Sequence, residues 1–137
     1  MIEFNYETNF TLKNESEISD WIQNCILKEG FKLGDINYVF CDDAYLHKLN
    51  VEFLNHDTLT DIISFDNTMG RLIGGDIFIS IERVKENAVI YNVSFEKELH
   101  RVVIHGVLHY LGYKDKNEED QLKMTNKENE SLLLLNV

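Results

Sequence analysis

Three features of the sequence predict an α+β fold in which a single small mixed β-sheet packs against helices. Strand-like segments come first and in the middle of the chain, whereas helical patterns close it, an order typical of this class. The 137 residues include no proline and no flexible tract that would mark a linker. A chain of this length buries about two-thirds of its unfolded surface. We therefore expect one domain over residues 1–137.

The first third of the chain is predicted to form a strand, a helix and a second strand. Residues 2–6 have the pattern of a strand. From Asn14, apolar residues recur at helical spacing until Gly30, which is expected to stop the helix. These apolar residues are Ile18, Trp21, Ile22, Cys25 and Ile26. Residues 36–41 suit the second strand.

A second helix and two further strands follow. Asp42 or Asp43 is placed to cap this helix. Its buried side is expected to carry Tyr45, Leu46, Leu49 and Phe53. A polar loop over 55–58 leads to an apolar strand over 62–65, and a turn then returns the chain as a long strand over 72–80.

Three helices are predicted to complete the chain, over 81–91, over 95–111 and from about Asn117 onward. The middle helix must pack against the sheet, because one side of it is apolar. That side carries Leu99, Val102, Val103 and Leu108. Functional groups on its other side would then lie in a cleft at the edge of the sheet.

Charge and cysteine content narrow the functional classes. The net charge of −11 argues against a generic nucleic-acid binder, which usually presents a basic face, without excluding one. The longest apolar run, Leu132–Leu135, is far too short to span a membrane, and residues 1–7 lack the features of a signal peptide. Cys25 and Cys41 are expected to be buried thiols in a reducing compartment, which makes the cytoplasm the expected location.

The most informative stretch carries two histidines four residues apart, His105 and His109. On a helix, their Cβ atoms lie roughly 5–6 Å apart on one face, so both imidazoles can bind one cation. Gly112 can end the helix in a left-handed turn that brings Asp115 toward the same ion. Two histidines and one carboxylate leave a fourth position open, which suits a catalytic zinc more than a structural one.

The residue after the first histidine separates this motif from that of metallopeptidases. In the H-E-x-x-H pattern a glutamate at that position is the general base, whereas this chain has Gly106. A zincin-like metal-binding helix is therefore predicted without its peptidase base.

Several separated stretches resemble one family, the YbeY-type bacterial rRNA maturation factors, which are zinc-dependent single-strand endoribonucleases. Residues 105–115 resemble the family's H-G-x-L-H-x-x-G-Y-D-H, residues 60–65 its T-D-V-L-S-F, and residues 75–80 its G-D-I-x-I-S. Leu49-Asn50 and Met124…Glu128 also fall in register. The resemblance runs from about residue 36 to residue 130.

The resemblance implies that His105 and His109 are the first two zinc ligands. The family's third ligand is a histidine at the position of Asp115. An aspartate can bind zinc through oxygen at about 2.0–2.2 Å, so one Zn²⁺ ion is still expected. Because this ligand is harder and anionic, we expect weaker activation of bound water and looser discrimination against manganese or nickel.

The family commonly carries an arginine that faces the RNA phosphate, and Leu54 holds the corresponding position here. The negative charge that gathers during phosphodiester cleavage needs a donor. Arg101, Lys114 and protonated His56 are the candidates, and the metal acting alone is the alternative.

The other polar and aromatic residues near the motifs are predicted to have structural roles. Asp61 and Asp76 are candidates for a general base or a second-metal ligand, but backbone capping is the simpler role for each. His100 lies about 140° around the helix from His105 and is predicted to be structural. Tyr110 and Tyr113 could stack on bases near the metal, although packing is the favoured role.

The sequence and its resemblance together predict a metal-dependent endoribonuclease that acts in rRNA processing and ribosome biogenesis. The RNA substrate comes from the resemblance, and the residues alone indicate an open-site metal hydrolase. The expected partners are a single-stranded rRNA precursor and the ribosome or its small subunit, with no membrane and no DNA. The alternatives are a metallopeptidase-like hydrolase and a non-catalytic, metal-stabilised ribosome assembly factor.

Overall fold

The computed structural model of the protein describes residues 1–135. Its elements, in chain order, are β1 (Ile2–Tyr6), α1 (Glu15–Lys28), β2 (Lys32–Cys41), α2 (Asp43–Leu54), β3 (Ile62–Asp66), β4 (Leu72–Ser80), α3 (Ile81–Ile90), α4 (Phe95–Tyr110) and α5 (Glu118–Leu133). The predicted α+β class is confirmed, and every predicted helix and strand is present. None of the helices within residues 1–135 is long and apolar enough to cross a membrane.

The four strands form one mixed sheet in the order β1-β2-β4-β3. β1, β2 and β4 run parallel, and β3 pairs antiparallel with β4 at the edge. β2 begins at Lys32 rather than at residue 36, and its register with β4 shifts between Leu33 and Ile36. The sequence Lys32-Leu-Gly-Asp lacks a strand pattern, so pairing with the start of β4 draws these residues into the sheet.

Side chains alternate between the two faces of the sheet, and each face packs against helices. On the larger face, Tyr38 and Phe40 of β2 and Ile77 of β4 join one core with α1 and α4. The hydroxyl of Tyr38 donates a hydrogen bond of 2.8 Å to the carbonyl oxygen of Val103, which ties the central strand to α4. The predicted apolar side of α4 is buried as expected.

The other face is smaller, and here one prediction was wrong. Of the four apolar residues expected on the buried side of α2, only Leu46 is buried and Leu49 is partly buried. Tyr45 and Phe53 are exposed at the border of this face, where their rings contact Phe78 and Phe65. α2 covers a narrow strip of sheet, so helical spacing alone overestimated how much of the helix is buried.

The two cysteines are free and buried, as predicted. Burial raises the pKa of the Cys25 thiol and raises that of Cys41 to about 12. Both groups are therefore neutral thiols at physiological pH rather than nucleophiles or metal ligands.

Candidate metal centre

The end of α4 directs the chain toward the two histidines. Gly112 adopts a φ of +104°, which L side chains rarely tolerate. The amide of Gly112 donates to the carbonyl oxygen of His109, and the amide of Tyr113 donates to that of Leu108, both at 3.0 Å. These are the two hydrogen bonds of a Schellman motif. The predicted left-handed turn is thus confirmed, and Asp115 follows it directly.

The structure brings one atom from each of three predicted ligands together. The Nε2 atoms of His105 and His109 lie 3.0 Å apart, and Oδ2 of Asp115 lies 3.3 Å from both. Ligands held tetrahedrally at about 2.0–2.1 Å from a zinc ion are separated by about 3.3 Å. The three residues can therefore hold a metal ion, although their role as ligands stays a prediction.

The hydrogen bonds of both imidazoles direct their lone pairs into this triangle. The carbonyl oxygen of Tyr113 only accepts, so Nδ1 of His109 carries a proton and donates to it at 3.0 Å. Nδ1 of His105 lies 2.6 Å from Oε2 of Glu128 and donates to that carboxylate. When each imidazole is neutral, Nε2 is the unprotonated nitrogen, and two lone pairs and a carboxylate converge on one point. Such convergence is favourable only around a cation.

Glu128 is the residue of this centre to which sequence reasoning assigned no role. It is buried on α5, and its Oε1 accepts a 2.9 Å hydrogen bond from Nη1 of Arg101. Burial by itself would lower the pKa of His105, but the hydrogen bond to Glu128 and the surrounding carboxylate charges raise it. In the sequence, only the match in register of Met124…Glu128 with the family pattern pointed to this position. That match did not indicate that Glu128 contacts a histidine.

A cleft of about 560 Å³ opens beside His105 and Asp115. Its walls include Asp61, Glu98 and Arg101. Burial raises the pKa of Asp61, partly opposed by the charge of His105. Burial likewise raises the pKa of Glu98, with a further contribution from Asp61. The predicted cleft at the edge of the sheet is therefore present, and it is richer in carboxylates than the motif indicated.

Gly106 lies where α4 approaches the sheet closely. A Cβ atom built there would lie 3.0 Å from Cδ1 of Ile77 and 3.2 Å from Cδ1 of Ile62. Both atoms are the ends of side chains on β3 and β4, so a larger residue would require these side chains to shift by a few tenths of an ångström. A glutamate at the position of a peptidase-type base would therefore be tightly packed.

The three candidate phosphate contacts lie in different surroundings. Arg101 lines the cleft, but its guanidinium donates to Glu128 and to Asn129. Lys114 and His56 are exposed and do not line the cleft. Their predicted contact with phosphate stays a prediction, as does the role of Leu54, which is exposed at the end of α2.

The remaining candidates have structural contacts. His100 is buried with its ring against Trp21, and burial lowers its pKa. The hydroxyl of Tyr110 lies 3.0 Å from the carbonyl oxygens of both Phe65 and Asp76. The hydroxyl of Tyr113 donates to Glu29 at 2.8 Å. The side chain of Asp76 does not line the cleft, whereas that of Asp61 does.

A mixed four-stranded sheet, a helix with two histidines and a carboxylate after its terminal turn define a class, the α+β domains with a zincin-like helix and a group of residues that could hold a metal ion. Comparison with known proteins narrows this class. The family model described as Endoribonuclease YbeY matches residues 2–136, and the chain belongs to this family.

Relatives named Endoribonuclease YbeY are similar over nearly the whole chain. The one from Flavobacterium johnsoniae is 59% identical over 137 residues, covering 100% of this chain and 99% of the relative. The one from Flavobacterium psychrophilum is 56% identical, covering 100% and 98%. The solution structure of a Thermotoga maritima protein matches with a TM-score of 0.73 at 27% identity, covering 98% of this chain and 89% of that one.

Proposed function

We propose that this chain is a metal-dependent endoribonuclease that cuts single-stranded RNA during ribosomal RNA maturation. The triangle of ligand atoms formed by His105, His109 and Asp115 carries this proposal. Membership of the YbeY family supports RNA as the substrate. We further propose that residues 1–137 act as one catalytic domain in the cytoplasm, with the ribosome or its small subunit as partner.

Zinc is the ion that we propose for the centre. Two imidazole nitrogens and one carboxylate oxygen are donors that zinc accepts, and three protein ligands leave one position for water or substrate. The carboxylate is harder than the family's histidine, so manganese and nickel are the expected competitors. If Asp115 is a ligand, Asp115→Ala loses metal measured by mass spectrometry, and Asp115→His binds zinc with less competition from manganese. Full metal retention by Asp115→Ala would exclude Asp115 as a ligand.

Each residue has a defined part in the proposed reaction. His105 and His109 hold the ion through Nε2, and Glu128 holds the ring of His105 in the orientation that this requires. The ion, when bound, polarises a phosphoryl oxygen and lowers the pKa of water or of the RNA 2′-hydroxyl. Asp61 is half-buried in the cleft beside His105, where it can accept a proton from the attacking hydroxyl.

The phosphate must approach from the open side of the triangle. Lys114 precedes the ligand Asp115 and forms no ion pair within residues 1–135, so its ammonium group is available to a phosphate. Arg101 would first have to leave Glu128, whose buried carboxylate it neutralises. We therefore rank Lys114 ahead of Arg101 and His56 as the phosphate contact.

The deciding experiment compares cleavage of a single-stranded RNA by zinc-reconstituted wild type and by His109→Ala prepared identically. A third protein, His47→Ala, is the matched control, because His47 lies on α2 and pairs with Asp57 outside the centre. We expect cleavage by wild type and His47→Ala and none by His109→Ala. Equal cleavage by all three would reveal a contaminating nuclease and would remove support for the proposal.

One observation keeps the metal-stabilised assembly factor as a second candidate. His105 and Arg101 of α4 both contact Glu128 of α5, so an ion on His105 would also stabilise the packing of these helices. This candidate predicts metal-dependent folding and ribosome association without RNA cleavage by any variant. The peptidase alternative is weakened by the packing at Gly106, and an unstructured protein substrate should stay intact in the same assay.

A further inference from the structure

We propose that the cleft beside the metal ligands is a binding site for a guanine base, whose paired N–H donors bind Glu98 while its ring stacks on Tyr91. Both residues line the cleft that also contains His105 and Asp115. A base seated there would belong to the nucleotide next to the scissile phosphate. This inference rests on the proposed ribonuclease function and adds a base preference to it.

The carboxylate of Glu98 is the first observation. Glu98 is only 5% exposed, and none of the hydrogen bonds within residues 1–135 is donated to its carboxylate. Its oxygens are nevertheless accessible, because no enclosed side-chain oxygen in this part of the chain lacks a hydrogen-bond partner. An accessible carboxylate on an otherwise buried side chain has few directions from which donors can reach it. Because Glu98 lines the cleft, a ligand in the cleft is placed to supply the missing donors.

The charges around Glu98 decide which part of an RNA can bind there. Asp61, Asp115 and Glu128 line the same cleft, and its one cation, Arg101, is paired with Glu128, so a phosphate group would meet net negative charge near Glu98. Within the part of the chain that the structure describes, only the triad of His105, His109 and Asp115 brings three ligand atoms within 4.8 Å of one another. The other acidic side chains of the cleft, Asp61, Glu98 and Glu128, therefore do not form a second cluster of three ligand atoms. Neutral N–H donors remain.

Guanine is the base whose hydrogen-bonding edge matches a carboxylate. Its Watson–Crick edge offers N1–H and the 2-amino group side by side, which can reach both oxygens of one carboxylate. Adenine, cytosine and uracil each place an acceptor beside their donor, and that acceptor faces a carboxylate oxygen unfavourably. Unpaired bases in single-stranded RNA are commonly recognised on this edge.

Tyr91 provides the second half of the site. It follows α3, is 63% exposed and lines the cleft. Aromatic side chains stack on bases of any identity, with a contribution that is nearly independent of sequence. Tyr91 is therefore expected to strengthen binding of every nucleotide, whereas Glu98 is expected to select guanine. The cleft volume of about 560 Å³ is large enough for one nucleotide.

The test measures binding without cleavage. Guanosine, inosine, adenosine, cytidine and uridine 5′-monophosphates are titrated separately into the zinc-loaded protein and followed by NMR chemical shifts. We expect guanosine monophosphate to bind about tenfold more tightly than the adenosine, cytidine and uridine compounds, since a bidentate contact discriminates by this order. Inosine monophosphate, which lacks the 2-amino group, should be intermediate.

Variants separate selection from stacking. Glu98→Gln should remove the preference for guanine, whereas Glu96→Gln, an exposed position on the same helix outside the cleft, should retain it. Tyr91→Ala should weaken the binding of all five nucleotides about tenfold, whereas Tyr91→Phe should leave their affinities unchanged. Equal affinities in wild type, absence of guanosine monophosphate binding, or a preference that survives in Glu98→Gln would each overturn the inference.

Failure of this inference and failure of the ribonuclease proposal give different results. If wild type cleaves RNA but binds the nucleotides equally, the base site is wrong and the proposed activity stands. If wild type prefers guanosine monophosphate but cleaves no RNA, the cleft recognises RNA in a non-catalytic protein. The wild-type affinities alone decide the matter if Glu98→Gln fails to fold.

Discussion

His100 and His105 lie five residues apart on the same helix, yet their surroundings differ in almost every respect. His100 is buried against Trp21, and burial lowers its pKa. His105 faces a carboxylate on either side, Glu128 and Asp115, and its pKa is raised. The partners across the helix interface, rather than the residue type or the helix, therefore separate a packing histidine from a candidate ligand.

The largest expected effect is that of removing the histidine with carboxylate partners. His105→Ala should lose the bound metal and reduce RNA cleavage by more than about 100-fold, since even outer-shell partners of metal ligands contribute 10–100-fold. Metal content by mass spectrometry and initial cleavage rates measure the two effects. Wild-type metal content in His105→Ala would contradict the assignment of this histidine as a ligand.

The second effect concerns the residue that orients His105. Glu128→Gln should weaken metal binding by about 10–100-fold, because an amide is a weaker acceptor for Nδ1–H and leaves Arg101 without its charged partner. Competition with a fluorescent zinc chelator measures the affinity. Glu130→Gln, an exposed change on the same helix, is the control and should bind metal as wild type does. If wild type, Glu128→Gln and Glu130→Gln bound the metal with the same affinity, Glu128 would have only a structural role.

His100→Ala tests the other side of the comparison. The change leaves a cavity against Trp21, so we expect the free energy of unfolding to fall by about 1–3 kcal/mol. Metal content and chelator affinity should not change, because His100 contacts none of the three candidate ligands. Chemical denaturation measures the stability. A loss of metal affinity in the folded variant would mean that the two sides of α4 are coupled.

The smallest effect is a difference in pH dependence between the two histidines in metal-free protein. His100 has a lowered pKa, so the unfolded state binds more protons and its contribution to stability is lost as the pH falls below about 6.5. His105 has a raised pKa, so its contribution is present below about 6.5 and is lost as the pH rises through the folded value. Denaturation of His100→Ala and His105→Ala between pH 5 and 8 should therefore shift the pH profile in opposite directions. If both substitutions shifted the dependence of stability on pH in the same direction, the opposite pKa shifts assigned to the two histidines would be refuted.

Local patterns predicted most of the fold. Helical spacing, the capping residues and the glycine after α4 placed every element, because these signals act within one or two turns of chain. The errors lie where packing across elements decides. β2 starts four residues early because β4 pairs with it there, and Tyr45 and Phe53 are exposed because α2 covers only a narrow strip of the sheet.

The candidate site divides in the same way. The i, i+4 spacing of His105 and His109 and the turn at Gly112 were sufficient to predict that two imidazoles and Asp115 converge. Glu128 and Glu98 were not assigned from the sequence. One acidic residue on an amphipathic helix looks like another, and nothing local indicates which of them is buried in a cleft.

By itself, the sequence determined the order of strands and helices, the helix that carries both histidines and the family to which the chain belongs. These properties follow from short-range periodicity and from motifs that stay together along the chain. Only the tertiary structure decided that Glu128, 23 residues beyond His105, orients its ring, and that Glu98 and Tyr91 line the same cleft as His105 and Asp115. The bonds of Glu128 join α4 to α5, and the cleft includes residues from several elements, so both depend on packing between parts of the chain that are distant in sequence.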